Sequence, residues 1–439
     1  MRKSGLKKNS SSRISDEEIS LVFKRALTQL NVINENDTAL IFHDISYLIE
    51  RINEIKSLFP KNAIHAIAIK ANPLLKVLRQ IEKLDVGFEA ASLPELYFAE
   101  KSGVSPDKII FDSPAKTVNE IAYALNLGCH INADSLYELD RIAKIIGEEK
   151  PKSTIGIRIN PQVGTGNIAL TSVAGEYSKF GVALKENRAA LKAKFEQYEW
   201  LTGVHLHIGS QGCSIEMLVK GVEKVLDFTY EVNESLKNNN AGRQINIFDL
   251  GGGLPVSYHR DEEAVLMSDY VKTLKHQFKE LFTVDFKLIT EFGRTIHANT
   301  GWVASKVEYV KREPDINTAM IHVGADLFLR KCYRPDDWHH EIIVLDSHGN
   351  IKTGIDKNKY MIAGPLCFAG DVIATEIILP PVEQGDYIII QDTGAYTLSM
   401  WSRYNSRQIP KVIGYFNEGK TFEILRERES LDTLLAFWS

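Results

Sequence analysis

Short runs of β-forming residues alternate with amphipathic stretches along the middle of this chain, and this alternation constrains the fold more than any other feature. The amphipathic stretches, such as LYELDRIAKII and MLVKGVEKVLDFTYEV, carry apolar residues at helical spacing. Eight strand-like runs lie at 64–69, 86–90, 108–112, 129–133, 154–159, 203–208, 245–250 and 287–291. The pattern predicts a (β/α)8 TIM barrel, although a doubly wound open sheet would show the same alternation.

The rhythm changes after about residue 300, where β-rich runs follow one another without long helices between them. The sequence therefore predicts an α/β protein with three parts: an N-terminal extension (1–35), a barrel (36–298) and a C-terminal β domain (299–439). The extension begins with a polar tail, MRKSGLKKNSSSR, and continues into a helix-like stretch for which Ser15 is the expected N-cap.

Composition excludes several functional classes. The chain is 44% hydrophobic and 25% charged with a net charge of −5, and its Lys and Arg residues are spread too evenly for a nucleic-acid-binding patch. Its apolar runs are too short to span a membrane, and no hydrophobic signal region follows the basic N-terminus. The scattered cysteines form no metal-type pair and suggest a reducing, cytoplasmic setting: Cys129, Cys213, Cys332 and Cys367.

Lys70 directly follows the apolar run IHAIAI, and a proline comes shortly after it. A lysine drawn into an apolar setting loses its proton readily, and a neutral amine can form a Schiff base with a carbonyl compound. The alternative is a strand-end lysine whose ammonium extends to the rim of the sheet. Lys70 alone does not decide between the two.

Other chemically active residues follow the later strands, at the end of a barrel where active sites collect. They are His205, His207, Ser210 and Gln211 after the sixth run, Asp249 and Gly251–Gly253 after the seventh, and Glu291 and Arg294 after the eighth. Taken singly, a glycine run is a turn and a strand histidine is a core residue. Together with Lys70 they supply the parts that hold pyridoxal phosphate: an amine, an imidazole, a phosphate cradle and a carboxylate for the pyridine nitrogen.

From about residue 36 onward the chain resembles the fold-type III pyridoxal-phosphate decarboxylases, the alanine-racemase-like barrels, and is most similar to their diaminopimelate branch. The motifs that carry the resemblance are IKANP, RINP, SKFG, GVHLHIGSQ, GGG, GPLCFAGD and GAYTLSMWSRYN. The resemblance implies that Lys70 carries the cofactor as an aldimine, His207 stacks on its ring and Glu291 faces its pyridine nitrogen. It assigns the phosphate to Ser210, Gly251, Gly252, Gly253, Arg294 and Tyr396.

The resemblance also implies a homodimer with composite active sites, in which Cys367 acts as a catalytic cysteine delivered by the partner subunit. It implies an amino-acid substrate and no metal. The substrate-binding residues that we expect from it are Arg330, Arg334, Trp338, Phe368 and Asp371.

Several motifs depart from the family pattern. Phe292 replaces a proline beside Glu291, and Glu89 stands where an aspartate is common. At the substrate end, Phe368 replaces a glutamate that reads the distal amino group. RPDDW, from Arg334 to Trp338, is a displaced match to Arg-Pro-x-x-Tyr. Losing a charge-assisted contact costs roughly 1.5 to 3 kcal/mol, so the distal end of the substrate cannot be read in the standard way.

The sequence therefore predicts a decarboxylase that removes the α-carboxylate of a diamino acid as CO2. D-Ornithine, D-lysine and a siderophore-type intermediate are alternative substrates to meso-diaminopimelate. An amino-acid racemase on the same cofactor and a non-catalytic homologue are the rival functions. A racemase needs an opposing acid/base on the other ring face but no GPLC…GD segment, and a non-catalytic homologue commonly loses the lysine, the cysteine or the β domain, all of which are kept here.

Overall fold

The computed structural model describes residues 14–283 and 285–439, so the predicted tail at 1–13 lies outside the described residues. Along this part of the chain the strands are β1 (Ala39–Asp44), β2 (Ile64–Ala68), β3 (Gly87–Ala90), β4 (Ile109–Phe111), β5 (His130–Ala133), β6 (Ile155–Asn160), β7 (Val182–Ala183), β8 (Leu201–His205), β9 (Ile247–Asp249), β10 (Lys287–Thr290), β11 (Gly301–Lys311), β12 (Asn317–Ile321), β13 (Ile342–Leu345), β14 (Asn358–Ala363), β15 (Val372–Leu379), β16 (Tyr387–Gln391), β17 (Lys411–Phe416) and β18 (Thr421–Arg426).

The α-helices of the described residues are α1 (Asp16–Thr28), α2 (Ile45–Leu58), α3 (Leu75–Glu82), α4 (Leu93–Ser102), α5 (Val118–Leu127), α6 (Leu136–Ile146), α7 (Leu184–Gln197), α8 (Ile215–Asn238), α9 (Met267–Gln277), α10 (Arg294–His297), α11 (Leu329–Tyr333) and α12 (Leu431–Trp438). No helix of these residues combines the length and the apolar content needed to cross a bilayer.

The first compact unit, Arg51–Val256 with Val265–Ile296, is a closed parallel barrel, and we call it the barrel unit. Its strands pair in the order β2, β3, β4, β5, β6, β8, β9 and β10, and β10 pairs with β2 to close the ring. These are the eight runs that the sequence predicts. The TIM barrel is therefore confirmed and the open sheet is excluded, because an open sheet would leave two edges.

Helices follow the barrel strands with sequence signals that fix their ends. Thr117 and Glu120 form a reciprocal capping box at the start of α5, and Gly128 ends that helix in the left-handed conformation. The strands are buried on both faces because helices cover the barrel from outside, and Ile64, Ile247 and Ile289 pack together in one hydrophobic cluster.

The second unit comprises the described residues up to Glu50, Ser257–Ala264 and His297–Ser439, and we call it the sheet unit. Its main sheet has the order β15, β14, β12, β11, β1, β17 and β18, with β16 pairing to β11 and β13. The core of this unit stacks Phe42 on Trp302 with ring centroids 4.0 Å apart, and Phe23 of α1 contacts both rings edge-on.

The described residues up to Glu50 belong to the sheet unit, whereas the sequence boundary at 35 assigns residues 36–50 to the barrel. Ser15 caps α1 as predicted, since its Oγ accepts from the Glu18 N–H at 3.1 Å. However, α1 is part of the sheet-unit core, and β1 pairs with β11 and β17. An apolar run shows that a strand forms but not which sheet it joins, because that depends on partners distant in sequence.

Candidate active site

Lys70 lies at the C-terminal end of β2, in the 3-10 turn Ile69–Ala71. Its Nζ is 2.7 Å from each carboxylate oxygen of Glu89, a fully buried residue of β3. Burial raises the pKa of Glu89 to about 8 against the opposing charge of Lys70, and Glu291 adds to the rise. The Glu89 carboxylate beside the Lys70 amine is therefore easier to protonate than an ordinary glutamate.

Glu291 follows β10 and lies beside a second charged group inside the barrel. Its Oε2 is 3.3 Å from Nε2 of His205, and Nδ1 of the same imidazole is 3.7 Å from Oδ1 of Asp112. Burial alone would raise the pKa of Glu291, but His205 holds it well below its usual range. Burial alone would lower the pKa of His205, but the charges of Asp112, Glu291 and Asp249 together raise it to about 9. Glu291 is therefore ionised throughout the physiological range.

The barrel register explains why these charges meet. Parallel pairing sets Arg158 of β6 opposite His205 of β8, and His205 opposite Asp249 of β9. Asp249 accepts hydrogen bonds from the Gly251 N–H and from Nδ2 of Asn132, each at 2.9 Å. Burial, followed by the charge of Glu291, raises the pKa of Asp249 well above its usual range. The hydrogen bond from the Gly251 N–H to Asp249 fixes the turn that begins directly after β9.

Gly251, Gly252 and Gly253 form that turn, and each position requires glycine. Gly251 and Gly253 adopt φ values of +62° and +108°, in the left-handed region that side chains disfavour. A Cβ at any of the three would lie 2.3 Å from a backbone oxygen, on Leu206, Glu291 and Gly209 respectively. The turn therefore brings bare backbone between the ends of β8 and β10, as a phosphate cradle requires.

Polar side chains line both sides of this turn. His207 is half-buried, and its Nδ1 accepts from the Gly252 N–H at 3.2 Å. Burial and the charge of Arg158 lower the pKa of His207 well below its usual value, so its ring is neutral. Arg294, the first residue of α10, donates from Nε to Oγ of Ser210 at 3.1 Å.

This arrangement fits pyridoxal phosphate. Neither oxygen of the buried Glu291 makes a hydrogen bond of good geometry within the described residues, so the carboxylate can accept one from a protonated ring nitrogen. The glycine turn and the Arg294 guanidinium form a site for a phosphate, and Lys70 provides the amine. The barrel unit thus brings together the predicted residues Lys70, His207, Ser210, Gly251, Gly252, Gly253, Glu291 and Arg294.

The remaining predicted residues belong to the sheet unit. Cys367 is exposed, its N–H donates to Oδ1 of Asn405 at 2.8 Å, and its carbonyl accepts from the Tyr404 hydroxyl at 3.1 Å. Asp371 is buried, and its carboxylate accepts from the N–H groups of Ala325 and Leu366 at 2.5 and 2.6 Å. The Asp371 side chain thus fixes the loop that presents Cys367.

Three of the other predicted substrate-binding residues, Arg330, Trp338 and Phe368, make contacts with aromatic rings, and Arg334 is exposed. Phe368 stacks on Tyr333 with centroids 5.5 Å apart and contacts Tyr404 edge-on. The Arg330 guanidinium lies 4.9 Å from the ring centroid of Trp338 and 4.7 Å from that of Tyr396. Arg334 by contrast is exposed, and its Nε contacts Asp337 at 2.9 Å. Of the two arginines, Arg330 has the more enclosed guanidinium.

Charged and titratable side chains buried in the barrel around Glu291 form a cluster that we call the buried charge group. The sequence assigned no individual role to three of its members: Asp112, Arg158 and His205. The guanidinium of Arg158 lies 3.6 Å from Asp112 and covers the ring of Phe180. One signal was present in the sequence, because all three are charged or titratable residues inside or at the end of apolar strands.

Comparison with known proteins identifies the family to which this sequence is similar. The family model described as "Pyridoxal-dependent decarboxylase, pyridoxal binding domain" matches residues 45–298. A diaminopimelate decarboxylase of Helicobacter pylori is 33% identical over 84% of this chain and 87% of its own length. One from Methanocaldococcus jannaschii is 32% identical over 86% and 84% respectively.

Solved structures agree with the sequence matches. The crystal structure of the H. pylori enzyme complexed with L-lysine has a TM-score of 0.79 and 28% identity, covering 92% of this chain and 97% of that one. Fold and site together define a barrel enzyme that binds pyridoxal phosphate. The chain belongs to the pyridoxal-dependent decarboxylases, which confirms the cofactor and the reaction class predicted from the sequence.

Proposed function

We propose that this chain removes the α-carboxylate of a diamino acid of the diaminopimelate type, as a homodimer in the cytoplasm. The observation that carries the proposal is the Lys70 amine held by both oxygens of a buried Glu89 inside the same barrel as the ionised Glu291. L-Lysine, bound in the similar H. pylori structure, is what remains when diaminopimelate loses one carboxylate.

Each barrel residue has a distinct task in this reaction. Bound pyridoxal phosphate supplies the electron sink that accepts the electron pair of the departing carboxylate. Lys70 would hold the cofactor covalently through its amine, and Glu89 would hold or return the proton of that amine. The neutral His207 ring would lie against the cofactor ring. Glu291 would accept a hydrogen bond from the pyridine nitrogen and favour its protonated form.

The sheet unit supplies the protonation step in this proposal. Cys367 lies on an exposed loop held by Asp371 and Asn405, which suits a thiol presented to the active site of a second subunit. There it delivers a proton to the α-carbon after CO2 has left. In this proposal Tyr396, whose ring lies 4.7 Å from the Arg330 guanidinium, binds the cofactor phosphate.

The substrate's distal end is the second part of the proposal. Phe368 lies in an aromatic cluster with Tyr333 and Tyr404, where a glutamate would read a distal ammonium in the family pattern. An aromatic face binds an ammonium by about 0.5 to 2 kcal/mol, less selectively than a carboxylate. This observation favours D-lysine, D-ornithine or a longer diamino acid as a second candidate substrate class.

The test is a panel assay with purified protein and added pyridoxal phosphate. CO2 release and amine formation are followed with meso-diaminopimelate, D-lysine and D-ornithine, and Lys70→Ala serves as the inactive control. We expect stoichiometric CO2 and amine from at least one of these. Racemised amino acid without CO2 would instead establish the racemase, and cofactor binding without any turnover would establish the non-catalytic homologue.

A further inference from the structure

His205 lies in the barrel between two carboxylates and has no exposed surface. Its Nε2 faces Glu291 and its Nδ1 faces Asp112. The two distances are 3.3 Å to Glu291 and 3.7 Å to Asp112, so these contacts are ion pairs and not hydrogen bonds of good geometry. A neutral imidazole can turn an N–H toward only one of the two carboxylates, whereas an imidazolium turns one toward each. The geometry around both ring nitrogens therefore suits the protonated form of His205.

The surrounding charges give the same answer. A carboxylate buried without a cation nearby takes up a proton, because a low-dielectric interior disfavours its charged form. Asp112 has two cationic neighbours, because the Arg158 guanidinium lies 3.6 Å from it and His205 lies on its other side. Glu291 is stabilised as a carboxylate first by His205 and then by the more distant charge of Lys70, which is itself held by Glu89. His207 accepts from the Gly252 N–H, and His130 contacts Thr154 and Asn132. The groups that face His205 are thus three carboxylates, Asp112, Asp249 and Glu291, two histidines, His130 and His207, and Arg158 on the neighbouring strand β6.

We propose that His205 is a positioning residue: oriented by Asp112, its imidazolium keeps Glu291 ionised and aimed at the pyridine nitrogen of the cofactor. The inference rests on the proposed function in so far as pyridoxal phosphate occupies the barrel. The raised pKa of His205, about 9, and the lowered pKa of Glu291 agree with it. His205 has no exposed surface and contacts Glu291 at 3.3 Å, so its effect passes through Glu291.

The test compares His205→Gln with Asp112→Asn and with a matched control, His65→Gln. His65 is a buried barrel histidine whose pKa is lowered to about 4 by burial and by Lys56, and it contacts Thr290 instead of a carboxylate. The readout is the ¹⁵N chemical shift of the pyridine nitrogen of bound, labelled pyridoxal phosphate between about pH 6 and pH 10. A second readout, in cofactor-free protein, is the ¹⁵N signal of the His205 ring, assigned by its loss in His205→Gln.

We expect the pyridine nitrogen to stay protonated throughout in wild type and in His65→Gln, and to lose its proton within this range in His205→Gln. kcat should fall roughly 10- to 100-fold in His205→Gln with KM changed much less, and by a smaller factor in Asp112→Asn. The His205 ring of cofactor-free protein should be doubly protonated at neutral pH.

A neutral His205 ring at pH 7 overturns the inference, as does a fully protonated pyridine nitrogen in His205→Gln. If His205→Gln does not fold, Asp112→Asn and the wild-type ring signal decide the matter. Failure of the wild-type protein to bind pyridoxal phosphate would contradict the proposed function. That result would be known before any variant is compared.

Discussion

Substituting alanine for Gly252 tests how closely the phosphate cradle and the Glu291 loop are joined. The added Cβ would lie 2.3 Å from the Glu291 carbonyl oxygen and 2.9 Å from its carbonyl carbon. The same loops are tied by a hydrogen bond from the Glu291 N–H to the Gly251 carbonyl at 2.8 Å. Cβ atoms do not approach other atoms closer than 3.0 Å, so the loops must separate by roughly 0.7 Å.

Overpacking of this kind costs about 1 to 3 kcal/mol, which corresponds to a loss of roughly 5- to 150-fold in cofactor affinity if the strain is relieved by moving the cradle. The affinity of apo-protein for pyridoxal phosphate is measured by fluorescence titration, and circular dichroism confirms that the variant is folded. Gly175→Ala is the matched control, because a Cβ there meets the Thr165 methyl at 3.4 Å and the Tyr177 carbonyl oxygen at 3.9 Å, both ordinary contacts. A folded Gly252→Ala protein that binds the cofactor within twofold of wild type would refute this steric argument.

Three further predictions concern individual residues. Glu291→Gln should keep cofactor binding but lose most turnover, since an amide does not hold the pyridine nitrogen protonated, and near wild-type turnover in this variant would contradict that role. Arg294→Ala should instead weaken cofactor affinity. Cys367→Ala and Lys70→Ala proteins should each be almost inactive, yet regain activity when mixed and allowed to exchange subunits; no recovery despite demonstrated exchange would argue against a shared site. Phe368→Glu should sharpen the preference for meso-diaminopimelate over D-lysine, measured as kcat/KM, and an unchanged preference would show that this substitution is neutral.

The barrel could be predicted because its signals are local. Each of its strands is a short apolar run, and each is followed by a helix with its own spacing or caps, so the order of elements is written along the chain. The site residues at strand ends were predictable for the same reason, because parallel strands in a barrel all end on one face. Lys70, His207 and Glu291 could be placed together without knowing any pairing.

The buried charge group could not be predicted in this way. Whether His205 faces Asp112, Asp249 or neither depends on barrel register, and register is set by long-range packing. The same limit applies to β1, whose apolar sequence suits either unit. Glu89 illustrates a third difficulty: a glutamate inside an apolar strand looks unfavourable until its partner, the Lys70 ammonium, is known to lie 2.7 Å away.

The most direct test of the account is to locate the covalent link between protein and cofactor. Protein incubated with pyridoxal phosphate is reduced with borohydride, digested, and mapped by mass spectrometry, with protein reduced in the absence of cofactor as the control. The account predicts one pyridoxyl group per chain, on Lys70, and its absence from Lys70→Ala. A pyridoxyl group found mainly on another lysine would contradict the assignment of the active site.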